Sequence, residues 1–251
     1  MKLLVTSDLH LEFQADKGDS LISSLPHDID ALVIAGDIHV AWGIKNALRK
    51  LSEEFTKVIF VLGNHDFYYC KNFQAHKKSL KVFCSRFDNL FWLDNSEIII
   101  DDIHFLGGTL WCESDPMSVS LRHRMTDFQG LPPYHHKTAK IIPGIWKNVF
   151  VDNTIARDFI SQNATSDSIV ITHHIPSWQS VRPEWTSSPL NIFYVSPSCE
   201  NIITDVGPRF WVHGHTHNSS RYTAGRTEVI CNPFGYSCYL NHEFKNLIIE
   251  V

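Results

Sequence analysis

The sequence has no cysteine pair in C-x-x-C spacing, no apolar run long enough to cross a bilayer, no basic excess and no internal repeat. Each absence removes a class of protein. The six cysteines, Cys70, Cys84, Cys112, Cys199, Cys231 and Cys238, form neither a zinc ribbon nor a thioredoxin-like motif. A chain of 251 residues does not need disulfide staples, so the thiols are expected to be reduced. The N-terminus reads MKLLVTSD, and its apolar stretch Leu3–Val5 is far shorter than the roughly 7–15 residues of a signal-peptide core. No window approaches the ~18 apolar residues of a membrane span. The expected location is the cytoplasm. A formal net charge of -5 and a pI near 6.3 argue against a domain that coats nucleic acid, since such domains carry a basic excess.

Apolar residues make up 43% of the chain, enough for a sizeable core. They gather into short β-branched runs at 2–5, 31–35, 58–62, 169–171 and 210–212, with further runs at 97–100, 103–108, 227–231 and 246–251. The first five are continuous rather than alternating, which suits strands buried on both faces. Between them, Ile44, Leu48, Leu51 and Phe55 mark one helical face; Phe73, Leu80, Phe83 and Phe87 mark another; Ile155, Phe159 and Ile160 mark a third. Strand–helix–strand order in the first half predicts parallel βαβ units, and the closely spaced strands of the second half predict a meander or second sheet. The expected fold is α/β: two stacked mixed β-sheets flanked by helices, one domain over 1–251.

Residues 111–150 fit neither period, and 176–197 are similar. Loops longer than ~12–15 residues in compact domains are usually functional or disordered. Trp111, Met125, Phe128 and Tyr134 favour an ordered cap or lid over disorder. Arg122, His123 and Arg124 within it are the candidate substrate contacts, the two guanidinium forks being suited to an anionic group.

The chemistry lies at the strand ends. LLVTSDLH places Asp8 and His10 past the first run, ALVIAGDIH places Asp37 and His39 past the second, and VIFVLGNHD places Asn64, His65 and Asp66 past the third. IVITHHIP adds His173 and His174, and FWVHGHTH adds His213, His215 and His217. Ligands of open α/β sheets bind outside the carboxyl ends of strands, so five ends could converge on one crevice. Carboxylates, an amide and imidazoles without thiolate suit divalent Mn, Fe, Zn, Co or Ni. A carboxylate can bridge two such ions, and a pair about 3.5–4 Å apart would clamp an in-line displacement at phosphorus.

In this order, D-x-H, G-D-x-H, G-N-H-D, T-H-H and G-H-T-H resemble the calcineurin-like metallophosphoesterases, from Asp8 to His217. The resemblance implies a four-layer sandwich and a phosphate-ester hydrolase with two divalent metal ions. Asp8, His10 and His217 would hold the first ion. Asn64, His215 and His173 (or its neighbour His174) would hold the second. Asp37 would bridge them, together with a water or hydroxide that acts as nucleophile. His65 would face the phosphate and protonate the leaving group, and Asp66 would orient the His65 ring through its nitrogen.

Each turn alone has an ordinary explanation: Asp8 and Asp37 are common turn residues, and His213 reads as a packed, hydrogen-bonded histidine. Five such turns in this order do not. A metallo-β-lactamase-like site would need H-x-H-x-D-H, but Asn218 follows His217. Tyr236, after the 227–231 run, is a further candidate near the site. The expected partner is a small phosphorylated substrate rather than duplex nucleic acid. A nuclease, or a non-catalytic metal-binding scaffold, is the alternative.

Overall fold

Every apolar run named above is a strand in the computed structural model, which describes residues 1–128, 145–236 and 239–251. The first half reads β1 (Lys2–Thr6), α1 (Asp19–Ser24), β2 (Ala31–Ala35), α2 (Ile44–Glu54), β3 (Val58–Val61), α3 (Phe73–Cys84), β4 (Leu90–Trp92), β5 (Ser96–Ile100) and β6 (Ile103–Gly108). After a short α4 (Ser118–Leu121) come α5 (Ile145–Asn163), β7 (Ile169–Thr172), α6 (Cys199–Asp205), β8 (Phe210–His213), β9 (Ser220–Ala224) and β10 (Thr227–Cys231). A small pair, β11 (Gly235–Tyr236) and β12 (Tyr239–Leu240), precedes β13 (Leu247–Glu250).

Two mixed sheets stack. The first has the order β13-β1-β2-β3-β4, and the second β5-β6-β7-β8-β10-β9. Strands β1 to β4 run parallel, as do β6, β7, β8 and β10, while β13, β5 and β9 are antiparallel edges. Period-two alternation sends each strand's residues to two different cores. Leu3, Val5, Val33, Ile59 and Val61 meet Phe105, Ile171, Val212 and Ile230 between the sheets. Leu4, Leu32, Ile34, Val58 and Phe60 pack outward on Ile44, Leu48 and Leu51 of α2 and on Phe73 and Leu80 of α3. Leu106, Val170 and Trp211 pack outward on Ala156 and Ile160 of α5 and on Ile202 and Ile203 of α6. This is a four-layer α/β/β/α sandwich, and it explains why the runs are continuous: both strand faces are buried. Each such side chain contributes roughly 1.5–3 kcal/mol by leaving water.

Local signals set the helix ends. Asn72 caps α3, its side chain accepting from the Ala75 amide at 2.8 Å. The helix stops at Cys84, short of Phe87, though Phe83 and Phe87 still pack on the outer core. The third helical face is corrected in part: Ile160 is buried and Phe159 packs against the same core, but Ile155 is exposed, and the buried side of α5 is Val149, Asp152, Asn153, Ala156 and Ile160. Asn153 obscures the pattern because it is polar; it is buried by donating to the Leu110 carbonyl and the Ser196 hydroxyl.

Residues 145–150 of the irregular segment belong to α5. Its described beginning is packed down: Trp111 is buried against Phe67 and Phe73, and Met125 joins the outer core. Tyr134 lies outside the described residues, as does Cys238; the other five cysteines are free and buried. Among the described residues, no helix is long and apolar enough to cross a membrane.

Candidate metal centre

Parallel register brings the strand ends level. Thr6 of β1 pairs with Ile34 of β2, and Ala35 with Val61 of β3, so the chain leaves all three strands on one side. Backbone bonds then stitch the turns together: the Asp8 amide to the Gly36 carbonyl, His10 to Asp37, and Gly214 to the carbonyl of His173, each at 3.0 Å. The His173 Nδ1 donates to the Ala35 carbonyl at 2.8 Å, and the His215 amide donates to the Asp8 carboxylate at 3.1 Å. These two bonds join the second sheet's loops to the first sheet's.

The turns carry unusual backbone. Asp8, His10, Asp37, His215 and His217 all have positive φ, between 44° and 72°. Such conformations cost on the order of 1–3 kcal/mol each for residues with a Cβ and gather where function requires them. Gly63 is needed for space rather than for φ: a Cβ there would overlap the Asp37 carboxylate and lie 2.6 Å from the Asp37 amide nitrogen.

Two donor groups result. Asp8, His10, Asp37 and His217 each offer one ligand atom, all within 4.8 Å of one another. His10 Nε2 and His217 Nε2 are 3.0 Å apart, and Asp8 Oδ1 is 3.3 Å from the latter. On the other side, His173 Nε2 lies 2.9 Å from Asn64 Oδ1 and 3.5 Å from Asp37 Oδ2. The buried His215 Nε2 has no hydrogen-bond partner. Asp37 Oδ2 also lies 3.6 Å from His10 Nε2, so it stands between the groups. His174 places its Nδ1 at the Thr109 carbonyl and its ring against Trp111 and His215, whereas the contacts to Asn64 and Asp37 are those of the His173 ring.

The donor chemistry fits cations. His10 Nδ1 faces the Glu12 carboxylate at 3.1 Å and His173 Nδ1 faces a carbonyl. Both acceptors require Nδ1–H, which leaves the Nε2 lone pairs pointing inward. Asn64 spends its Nδ2 on Asp127 and Tyr68, so its oxygen also points inward. Lone pairs thus converge with two carboxylates in a site where Asp8, His10, Asp37 and His173 are at most 1% exposed. Divalent ions would satisfy them all.

Charge states follow from the same crowding. Burial pushes the Asp37 carboxyl well above the usual range, and the charges of Asp8 and Asp66 push it further. Burial also opposes ionisation of Asp8, but the His217 hydrogen bond and charge, with His173 and His10, outweigh it and hold Asp8 low. Burial, aided by His65, takes His10 down to about 4 against the pull of Glu12. Burial likewise lowers His173 and His215, which favours in these rings, as in His10, the neutral form that can ligate.

One expected contact is corrected. Asp66 does not touch the His65 ring. Its Oδ2 accepts from the amides of Gly63 at 2.7 Å and Asp37 at 3.0 Å, and its Oδ1 from Ile38 and His39 at 3.0 Å. Buried with four backbone donors, it clamps two ligand-bearing turns together; burial nonetheless pushes it up to about 7, against the amides of His39, Gly63 and Asp37. The group facing His65 Nδ1 is Glu12 Oε1, at 3.3 Å. Glu12 lies in the turn Leu11–Phe13 after β1, where nothing in the sequence distinguished it from a solvated acid. The other ring nitrogen, Nε2, is 3.2 Å from the Tyr236 hydroxyl, and Tyr68 stacks beneath the ring at 4.2 Å.

Arg122, His123 and Arg124 form one short turn, with His123 and Arg124 exposed. Among the described residues of that segment, Asp127 reaches Asn64 and Tyr68, a contact that sequence reasoning missed. His39 gives its Nδ1 to the Val40 carbonyl, and His213 bonds Ser180 and the Gly214 carbonyl; both are packed, hydrogen-bonded histidines. His135 and His136 lie outside the described residues.

Comparison with known proteins agrees with this arrangement. Residues 1–219 match the family model of the calcineurin-like phosphoesterases. An uncharacterized protein of Acanthamoeba polyphaga mimivirus is 28% identical over 271 positions, covering 97% of this chain and 93% of that one. The crystal structure of phosphopantetheinyl hydrolase from Mycobacterium tuberculosis superposes with a TM-score of 0.70 at 18% identity, covering 94% of this chain and 89% of that one. A Thermus thermophilus protein superposes with a TM-score of 0.56 at 12% identity, covering 92% and 88%. Both solved structures have the same fold.

Proposed function

The chain belongs to the calcineurin-like phosphoesterase family, and from that premise we propose that it hydrolyses a small phosphate ester with the help of two divalent ions. The observation that carries this reading is the inward convergence of lone pairs, with His215 Nε2 left without a partner. Asp8, His10 and His217 would hold one ion, and Asn64, His173 and His215 the other, with Asp37 shared. The ions, when bound, would supply positive charge to a phosphoryl oxygen and acidify water near neutral pH.

The remaining work falls to the chain's own groups. His65 presents Nε2 beside the Tyr236 hydroxyl, where it can protonate a departing oxygen. Glu12 accepts from Nδ1 and stabilises the imidazolium that must exist before the proton is given up. Asp66 contributes by holding the 37–39 and 63–66 turns in register. Arg122, His123 and Arg124 remain the proposed anion contacts on the substrate side.

An acidic chain, with net charge -5, suits a small substrate better than a nucleic-acid duplex, and the cytoplasm is the proposed location. The test is hydrolysis of a chromogenic phosphomonoester and a phosphodiester by metal-stripped protein, with Mn added back. A phosphopantetheinyl diester belongs in the same panel. Metal-dependent turnover is expected, and the ratio of rates assigns the ester class. Failure to bind metal at all would refute the proposal.

A further inference from the structure

Besides Glu12, a second buried carboxylate outside the motifs holds a proposed ligand, from the segment that follows β6. Asp127 lies in the turn Thr126–Phe128 and is 5% exposed. Its Oδ1 accepts from the Tyr68 hydroxyl at 2.6 Å and from Asn64 Nδ2 at 2.9 Å. The turn is anchored on both sides: Met125 is buried in the outer core, and Phe128 packs on Phe193 with ring centroids 5.3 Å apart.

We infer that Asp127 is a positioning residue that orients the Asn64 amide toward the second ion and thereby couples the 111–128 segment to the metal centre. The inference rests on the proposed function. A carboxamide has nearly the same shape with its oxygen and nitrogen exchanged, so neighbours must choose the orientation. Asp127 Oδ1 accepts from both neighbours, and it therefore takes the NH2 end. The second N–H goes to the Tyr68 oxygen at 3.2 Å, which is free to accept because its own proton goes to Asp127. All three donors are used, and Asn64 Oδ1 is left 2.9 Å from His173 Nε2. A flipped amide would aim two N–H donors at a cation. The same Tyr68 stacks on His65, so one residue of the segment governs both a ligand and the ring below the proposed acid.

A purely structural role would make Asp127 a fastener for its own segment, and metal binding separates the two. Metal-stripped full-length wild type, Asp127→Ala, Asp127→Asn and Tyr68→Phe are titrated with Mn by calorimetry, and Asn64→Ala identifies the step that belongs to the second site. Asp127→Ala is expected to weaken that step by about 10–100-fold and to leave the other step unchanged. Asp127→Asn, which keeps an acceptor oxygen, is expected to recover most of the loss. Tyr68→Phe frees one Asn64 N–H and is expected to weaken the same step to a smaller extent, which carries the test if Asp127→Ala does not fold. An unaltered second step in Asp127→Ala or Tyr68→Phe, or equal weakening of both steps together with a lowered melting temperature, overturns the inference alone. A wild type that takes up no second ion overturns this inference and the two-ion reading together.

Discussion

Glu12 offers the sharpest single perturbation. Its Oε1 accepts from His10 Nδ1 at 3.1 Å and His65 Nδ1 at 3.3 Å, while Oε2 is buried without a partner. Glu12→Gln can therefore keep the accepting oxygen and remove only the charge. A hydrogen bond to a charged group contributes about 1.5–3 kcal/mol and a neutral one about 0.5–1.5 kcal/mol. The loss at His65 is then about 1–1.5 kcal/mol of support for the imidazolium, or about five- to tenfold in rate. Glu12→Ala goes further, leaving two N–H groups without an acceptor at about 1–3 kcal/mol each.

The pH dependence of the metal-free protein has a definite sign. Burial raises the Glu12 carboxyl, but the hydrogen bonds and charges of His10 and His65 outweigh it and hold it below its ordinary value. A depressed carboxyl contributes stability that is present above the unfolded pKa, about 4.3, and is lost as pH falls below it. Wild type should lose melting temperature below about pH 4, and Glu12→Gln should lose less over that window. The assays are the pH profile of kcat and the apo melting temperature across pH 2.5–7 (about that range suffices). Wild-type turnover and an unshifted profile in Glu12→Gln would refute the pairing.

Asp37→Asn should abolish turnover and weaken both metal-binding steps, yet leave the apo melting temperature at pH 7 unchanged or higher. The buried carboxyl is raised by burial and by the neighbouring acids Asp8, Asp66 and Glu12, whereas the amide could donate to His10 or His173 Nε2. A lowered apo melting temperature would count against this. Gly63→Ala should destabilise by about 1–3 kcal/mol, as overpacking does, because the methyl would meet the Asp37 side chain and amide; unchanged denaturant midpoint and metal affinity would contradict it. His173→Ala should remove one metal-binding step while His174→Ala should not, since only the His173 ring faces Asn64 and Asp37, and calorimetry decides. Chelation should lower the melting temperature, because ligand at 100 times its Kd stabilises the native state by about 2.7 kcal/mol; equal melting curves with and without chelator would argue against ligand-linked stability.

The sequence by itself determined the layers and the place of the centre. Three of the runs, Ala31–Ala35, Ile103–Gly108 and Thr227–Cys231, are strands at the expected bounds, because a largely buried strand leaves an apolar signature that needs no partner to be read. The carboxylates, amide and imidazoles past the five continuous runs were legible too, because parallel strands put their carboxyl ends on one side. Tertiary structure alone decided what each side chain touches. Glu12 meets His65 across 53 residues and Asp127 meets Asn64 across 63, and neither pairing leaves a local pattern. Asp66 stands next to His65 in sequence, yet the left-handed turn at Asp37 offers it backbone amides instead. The buried stripe of α5 was hidden by Asn153, whose partners come from two distant loops. Periodicity is a property of neighbours along the chain; the direction of a polar side chain in a crowded turn is set by donors and acceptors that only folding brings within 3 Å or so.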